Sequence, residues 1–300
     1  MEKVQLLFII NPISGVYKKE HIPEKIAKYI DYTKYDYAIR TTQYAGHATE
    51  LAKQAVAEGF KIVVAVGGDG SINEVANALV GTDVALGLIP FGSGNGLALH
   101  LGMKARNAKY ALDVLNTGKT VKVDVVKTNL RYFLSCGGFG FDAHAARRFR
   151  SQTIRGFFSY FLAGAREIFW HFKPIQAAIT IDGERIDREV YLFTAFNSSQ
   201  YGYNFGVFSN TSMKDGVLDV ILLNSFPLRR LFIIFFYLVF KRPDLVKEAE
   251  MFRAKQITIH GNKKIVYQFD GDHIIHHDDM NMEVVPNALN IIVPMQLSSF

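Results

Sequence analysis

The sequence predicts an α/β domain built on a parallel sheet, at residues 1–122, followed by a β-rich antiparallel domain at 123–300. Up to residue 89, short apolar runs alternate with stretches of helical periodicity. Beyond residue 116, short strand-like runs separated by Gly, Asn and Asp turns take over. A length of 300 residues also exceeds what one hydrophobic core usually serves.

In the first part the strand candidates are VQLLFII (4–10), YDYAIRT (35–41), KIVVAV (61–66) and VALGLI (84–89). Helical stretches at 22–30, 47–57 and 71–79 lie between them, the order expected of crossover helices joining parallel strands. In the last of these, Ile72, Val75, Ala76 and Leu79 recur at i, i+3, i+4 and i+7. Ser71 stands three residues before Glu74 as a capping pair, which predicts a helix starting at Ser71. In the second part, strands are expected within 121–128, 131–140, 176–197, 216–223, 255–261, 264–272 and 290–294, with helices at 153–172 and 227–240. The last residues are candidates for a return to the first domain.

Hydrophobic residues make up 49% and charged residues 21%, a globular balance rather than a disordered one. The single cysteine, Cys136, excludes an internal disulfide framework, fits a reducing compartment, and reads as a buried structural thiol. The opening MEKVQLLFII runs into an Asn-Pro turn with no small-residue cleavage site, so it reads as a buried strand. The longest apolar run, 231–240, is too short for a helix that spans a bilayer. A formal charge of +6 and a pI near 9.2 suit a nucleotide, a nucleic acid or an anionic membrane as partner. Without an RNA-binding signature, nucleic acid is the weakest of the three.

Three glycine-bearing turns follow the first, third and fourth strands: NPISG (11–15), GGDGS (67–71) and PFGSGNG (90–96). In open parallel sheets ligands sit beyond the carboxyl ends of the strands, so these turns should converge on one crevice. Glycines let backbone N–H groups approach phosphate oxygens, and a helix N-terminus adds positive charge toward the same anion. There is no GxxxxGK[ST], and GGDGS lacks the GxGxxG spacing. Asp69 stands out because a carboxylate among phosphate-binding glycines repels the ligand unless it works through a cation or handles a proton.

The motifs NPISG, Thr41-Thr42 with Gly46-His47-Ala48, GGDGSINEVANAL, PFGSGNGLA, VDVV with Asp124, GGFGFDA, SYFLAG, KDGVLDV and FDGD run in order through nearly the whole chain. Together they resemble the diacylglycerol kinase catalytic-domain family, which includes bacterial lipid kinases and the sphingosine and ceramide kinases. The resemblance implies a phosphofructokinase- and NAD-kinase-like nucleotide-binding N-terminal domain, a β-rich lipid-binding C-terminal domain, and an active site in the cleft between them. It implies ATP contacts at Asn11, Pro12, Ile13, Ser14, Gly15, Thr42, Gly67, Gly68, Gly70, Ser71, Ile72, Asn73, Glu74 and Ser93. Asp69 would help organise Mg2+ or the reacting hydroxyl, and Asp272 would accept the hydroxyl proton. Ser212, Asp215 and Val217 would hold a structural magnesium through oxygen ligands, the first and last through their backbone carbonyls, with Asp124 a further metal candidate. Asp142 would lie near the polar head of the lipid.

Two departures from the family pattern stand out. Gly96 follows Asn95 where bacterial lipid kinases carry Asp, which gives a sphingosine-kinase-like GSGN loop, and the terminal DGE reads Asp270, Gly271, Asp272. The expected activity is transfer of the γ-phosphate of ATP to a hydroxyl of a diacylglycerol-like or sphingoid-base- or ceramide-like lipid. The alternatives are an NAD-kinase-like small-molecule kinase and a nucleotide- or lipid-binding regulator that has lost catalysis. A cytoplasmic location with peripheral contact at the inner membrane face is expected, and a homodimer stays open. The apolar stretches 155–172 and 227–242 read as core with partial exposure that suits a membrane face. His273, His276, His277, Asp278 and Asp279 read as a solvated hairpin rather than a metal site.

Overall fold

A computed structural model of the chain describes residues 2–14, 21–141, 143–144, 173–199, 210–227, 242–261 and 264–297, with a few isolated positions between 208 and 240. It resolves into two compact units, one formed by 1–125 with 286–300 and the other by 126–285. The stretch 153–172 lies outside the described residues, and 227–240 is described only in part.

The first unit holds a parallel sheet of β1 (Val4–Ile10), β2 (Tyr35–Thr41), β3 (Ile62–Gly67) and β4 (Ala85–Pro90), in the spatial order β4-β3-β1-β2. The central strands β3 and β4 are buried along their whole length, which is why they read as unbroken apolar runs rather than as an alternation. The helices α1 (Ile22–Tyr29), α2 (His47–Ala57) and α3 (Asp69–Leu79) connect the strands. On α3, Ile72, Val75, Ala76 and Leu79 are buried. The helix begins two residues earlier than the Ser71–Glu74 pair predicts, because Gly68 takes the N-cap position in extended conformation. Ser71 is instead a buried first-turn residue whose hydroxyl accepts a hydrogen bond from Asn11. Two helices that the sequence pattern did not reveal, α4 (Gly96–His100) and α5 (Ala108–Thr117), follow β4. The Asn107 side chain caps α5 by accepting from the Tyr110 N–H.

The strands β5 (Lys119–Thr128) and β6 (Tyr132–Phe133) pair antiparallel through Val126 and Phe133. The second unit is built on β7 (Cys136–Gly140), β8 (Ile175–Ile181), β9 (Glu184–Phe196), β10 (Leu218–Asn224), β11 (Ala249–Ala254), β12 (Gln256–Ile259), β13 (Ile265–Phe269) and β14 (Asp272–His276). Its antiparallel order runs β14-β13-β7-β9-β8-β12, with β10 paired to β9 and β11. The last strand, β15 (Met280–Val293), pairs through its first residues with β12 and through Asn290 and Ile291 with β4.

Three details differ from the sequence expectation. The run 131–140 is two strands, interrupted at Leu134 and Ser135. The strand β11 carries no clean alternation that would have flagged it. The final strand starts at Met280, ten residues before the apolar run at 290.

Two of the four Asp-Gly pairs make tight hairpins. Asp182 and Gly183 have φ of 46° and 92°, and Asp270 and Gly271 have 51° and 87°, so each pair supplies the two positive-φ positions of a type I′ turn. The core stacks Phe139 on Phe193 and Phe133 on Phe269. Gly137 leaves room for the latter pair, since a Cβ there would sit 2.5 Å from Phe269 Cδ1. Among the described residues no helix is long and apolar enough to cross a membrane.

Candidate active site

The three turns at the carboxyl ends of β1, β3 and β4 are tied together in the first unit. Asn11 Nδ2 donates to Ser71 Oγ over 2.9 Å, which links the turn after β1 to the first turn of α3. The same turn closes on itself, with the Ile13 N–H on Asn11 Oδ1 and the Ser14 hydroxyl on the Asn11 carbonyl. The turn after β4 meets the turn after β3 backbone to backbone. A Cβ on Gly92 would stand 2.5 Å from Gly68 Cα, so only glycine permits this approach. A Cβ on Gly67 would likewise meet Ser71 Oγ at 2.6 Å.

Asn95 organises the third turn. Fully buried and in the left-handed region with φ of 55°, it closes a loop onto Gly92: its Oδ1 accepts from the Gly92 N–H at 2.7 Å and its Nδ2 donates to the Gly92 carbonyl at 2.8 Å. Its own N–H donates to Asp69 Oδ2 at 2.7 Å. That bond fixes the Asp69 carboxylate at the opening of α3, beside the backbone N–H groups that a helix start leaves without intrahelical partners. Gly70, in the first turn, is exposed, and a Cβ built on it meets nothing within 4 Å. Ser93 is half-buried in the turn after β4.

The remaining candidates in this unit fall into two groups. Thr42 is buried just past β2, where its N–H donates to the Ile10 carbonyl, and Pro12 and Ile13 are exposed. Ile72 and Asn73 face inward. Ile72 belongs to the core and its N–H is taken by the Gly68 carbonyl, while Asn73 Oδ1 accepts from Asn77. Glu74 spends both carboxylate oxygens on the Gly46 and Ala48 N–H groups at the start of α2, at 3.0 and 3.2 Å. Glu74 thus holds the turn after β2 against α3. Gly15 and Asp142 lie outside the described residues.

In the second unit, Asp272 opens β14, directly after the Asp270-Gly271 turn, and its Oδ2 pairs with Arg131 Nη1 at 3.3 Å. Arg131 carries no motif in the sequence, and only the fold brings it to this carboxylate. Asp270 has a different job. Its carboxylate accepts the N–H groups of Leu134, Ser135 and Cys136 at 2.8, 2.7 and 3.1 Å, which is why the run 131–140 breaks into two strands there. Burial pushes the Asp270 carboxyl above its usual range, against the downward pull of those three N–H groups and of Arg131.

Of the residues proposed for a structural magnesium, Asp215 has its carboxylate engaged by other groups. Asp215 Oδ2 pairs with Arg253, which also reaches Asp219 at 3.4 Å, and Asp215 Oδ1 accepts from the Val217 N–H. Ser212 Oγ accepts from the Lys214 N–H. A metal ion bound by Asp215 would share that carboxylate with the Arg253 guanidinium. Asp124 is buried and accepts from the Asn287 N–H at 2.9 Å. Among the described residues no three His, Cys, Asp or Glu side chains gather into a metal-binding group.

Comparison with known proteins shows the family and the fold. The family profile of the Diacylglycerol kinase catalytic domain matches residues 5–128, and that of the YegS C-terminal NAD kinase beta sandwich-like domain matches residues 136–293. A protein named diacylglycerol kinase from Staphylococcus aureus (strain JH9) is 31% identical over 226 residues, covering 72% of this chain and 70% of its own. Another of that name from Bacillus subtilis (strain 168) is 29% identical over 235 residues, or 75% of each chain. The crystal structure of a protein described as a putative diacylglycerol kinase from Bacillus anthracis superposes with a TM-score of 0.77 at 22% identity, covering 96% of this chain and 97% of that one, a likeness of fold. The first unit's parallel sheet with its gathered turns, and the second unit's antiparallel sheet, are the two parts of a lipid-kinase fold. The chain belongs to the diacylglycerol kinase family and is a phosphotransferase with an alcohol group as acceptor.

Proposed function

We propose that the chain transfers the γ-phosphate of ATP to a hydroxyl of a diacylglycerol-like or sphingoid-base- or ceramide-like lipid. The observation that carries this reading is the joining of three strand-end turns around an Asp69 carboxylate held by the Asn95 N–H, with Gly70 exposed beside it. Backbone amides at a helix start bind phosphate oxygens, and bare glycine lets those oxygens come close. In such a setting Asp69 is the oxygen donor for Mg2+, a hard cation that prefers carboxylate and phosphate ligands. When bound, the ion supplies neutralisation of phosphate charge.

The rest falls to the chain's own residues. Ser71 and Asn11 orient the phosphate-binding turns. Glu74 holds the turn after β2. Asp272, one oxygen steadied by Arg131, takes the acceptor hydroxyl's proton as the hydroxyl oxygen attacks the γ-phosphorus of ATP, whose bond to the β-phosphate oxygen breaks to release ADP. Each unit then serves one substrate, the first the nucleotide and the second the lipid. Ile233, Phe236 and Phe240 are exposed, which supports peripheral contact with a membrane surface where the lipid resides.

The test is a panel of diacylglycerol, sphingosine, ceramide and NAD incubated with labelled ATP and the purified protein. Transfer to one lipid and none to NAD is expected. Transfer to NAD alone would replace the lipid reading by a small-molecule kinase, and tight ATP binding with no transfer would make the chain a regulator.

A further inference from the structure

We infer that Tyr44, braced by His47, is the platform on which the purine ring of the nucleotide stacks, with Ile13 on the same rim; the inference rests on the reading of the first unit as an ATP site. The sheet register supplies the first argument. Ile10 of β1 and Thr41 of β2 are paired in the parallel ladder, and Ile13 and Tyr44 each stand three residues beyond that pair. Both therefore emerge from the carboxyl ends of neighbouring strands, on the side where the phosphate-binding turns gather.

Exposure supplies the second. Of the large apolar side chains exposed in this unit among the described residues, Val4, Ile13, Tyr32, Tyr44 and Met295, Ile13 at 86% and Tyr44 at 53% are the two that follow the carboxyl ends of β1 and β2. Two large apolar groups left in water next to polar turns are a natural rim for a flat, partly apolar ligand.

Third, Tyr44 is held still. Its ring stacks on His47 at 4.6 Å with planes 8° apart, and its hydroxyl donates to Glu50 at 2.7 Å. The Gln43 N–H donates to His47 Nδ1, which fixes the proton on Nε2 and the orientation of the imidazole. The two N–H groups captured by Glu74 pin the intervening backbone at Gly46 and Ala48. An aromatic face ordered before the ligand arrives loses little freedom on binding. Stacking on such a face engages the base through its π-face and leaves the phosphates to the glycine turns.

The test compares binding of ATP and of inorganic tripolyphosphate by calorimetry for the full chain, for Tyr44→Ala and for Tyr44→Phe. Loss of one stacking face weakens binding about tenfold. ATP affinity is therefore expected to fall by that factor in Tyr44→Ala, with tripolyphosphate affinity unchanged, and Tyr44→Phe should stay within about twofold of the parent. Unchanged ATP affinity in Tyr44→Ala would overturn the inference. So would an equal loss for ATP and tripolyphosphate, which would show Tyr44 to be a prop for the turn. If the parent protein binds neither ligand, the ATP reading itself falls and the platform with it.

Discussion

Adding one methyl group at Gly70 separates the demands of the ligand from the demands of the fold. Gly70 sits in the first turn of α3, outside the positive-φ region, and a Cβ there meets no protein atom within 4 Å. Alanine is the better helix former by up to about 1 kcal/mol, somewhat less in a first turn, so Gly70→Ala should leave stability unchanged or raise it by about 0.5 kcal/mol. Every Cα–Cβ bond in a helix tilts toward its N-terminus, so the new methyl projects into the opening where phosphate oxygens would meet the amides. Nucleotide affinity should then fall about tenfold or more, equivalent to about 1.4 kcal/mol.

Gly92→Ala makes the opposite case. Its Cβ would lie 2.5 Å from Gly68 Cα, a backbone clash that should cost about 1–3 kcal/mol of stability. Urea unfolding and nucleotide calorimetry on the two variants decide the matter. If Gly70→Ala is as stable as the parent and binds ATP with parental affinity, no anion approaches that helix start and the site assignment is wrong.

The other predictions concern acids and pH. Asp69→Asn and Asp272→Asn should each lower kcat by about 10²–10⁴-fold with the urea midpoint little changed. Parental turnover in either variant would remove that residue from its assigned role. His100 has its pKa lowered from 6.5 to about 4 by burial, so the unfolded chain takes up the proton first as the pH falls. Stability should therefore be full above pH 6.5 and decline as the pH drops toward 4. Discounted for partial exposure of the ring, the loss at pH 5 is about 1 kcal/mol. His100→Gln should flatten that part of the urea-stability profile, and an unchanged slope would show that other groups set it.

Much of this was legible because it depends on local chemistry. Alternating apolar runs and helical spacing predict β1 to β4 and α1 to α3, since a strand buried on both faces and an amphipathic helix each leave a period in the chain. The glycines of the three turns stood out in the sequence because close backbone approach demands glycine, as between Gly92 and Gly68. The helix start was misplaced because Ser71 and Glu74 have the composition of a capping box, whereas in the fold Ser71 binds Asn11 and Glu74 binds the start of α2. Those partners lie 60 and 28 residues away in the chain, beyond the reach of any local pattern.

By itself, then, the sequence determined the two kinds of sheet, the glycine turns, and the presence of carboxylates among them, because each depends on residue type and short-range spacing. Only the tertiary structure decided which groups those carboxylates meet. Asp69 finds the Asn95 N–H, Asp272 finds Arg131, Asp270 clamps Leu134 to Cys136, and Asp215 finds Arg253. Most of these pairings join residues far apart in sequence, and a charge is committed to a partner only when the packed core fixes the distance between them.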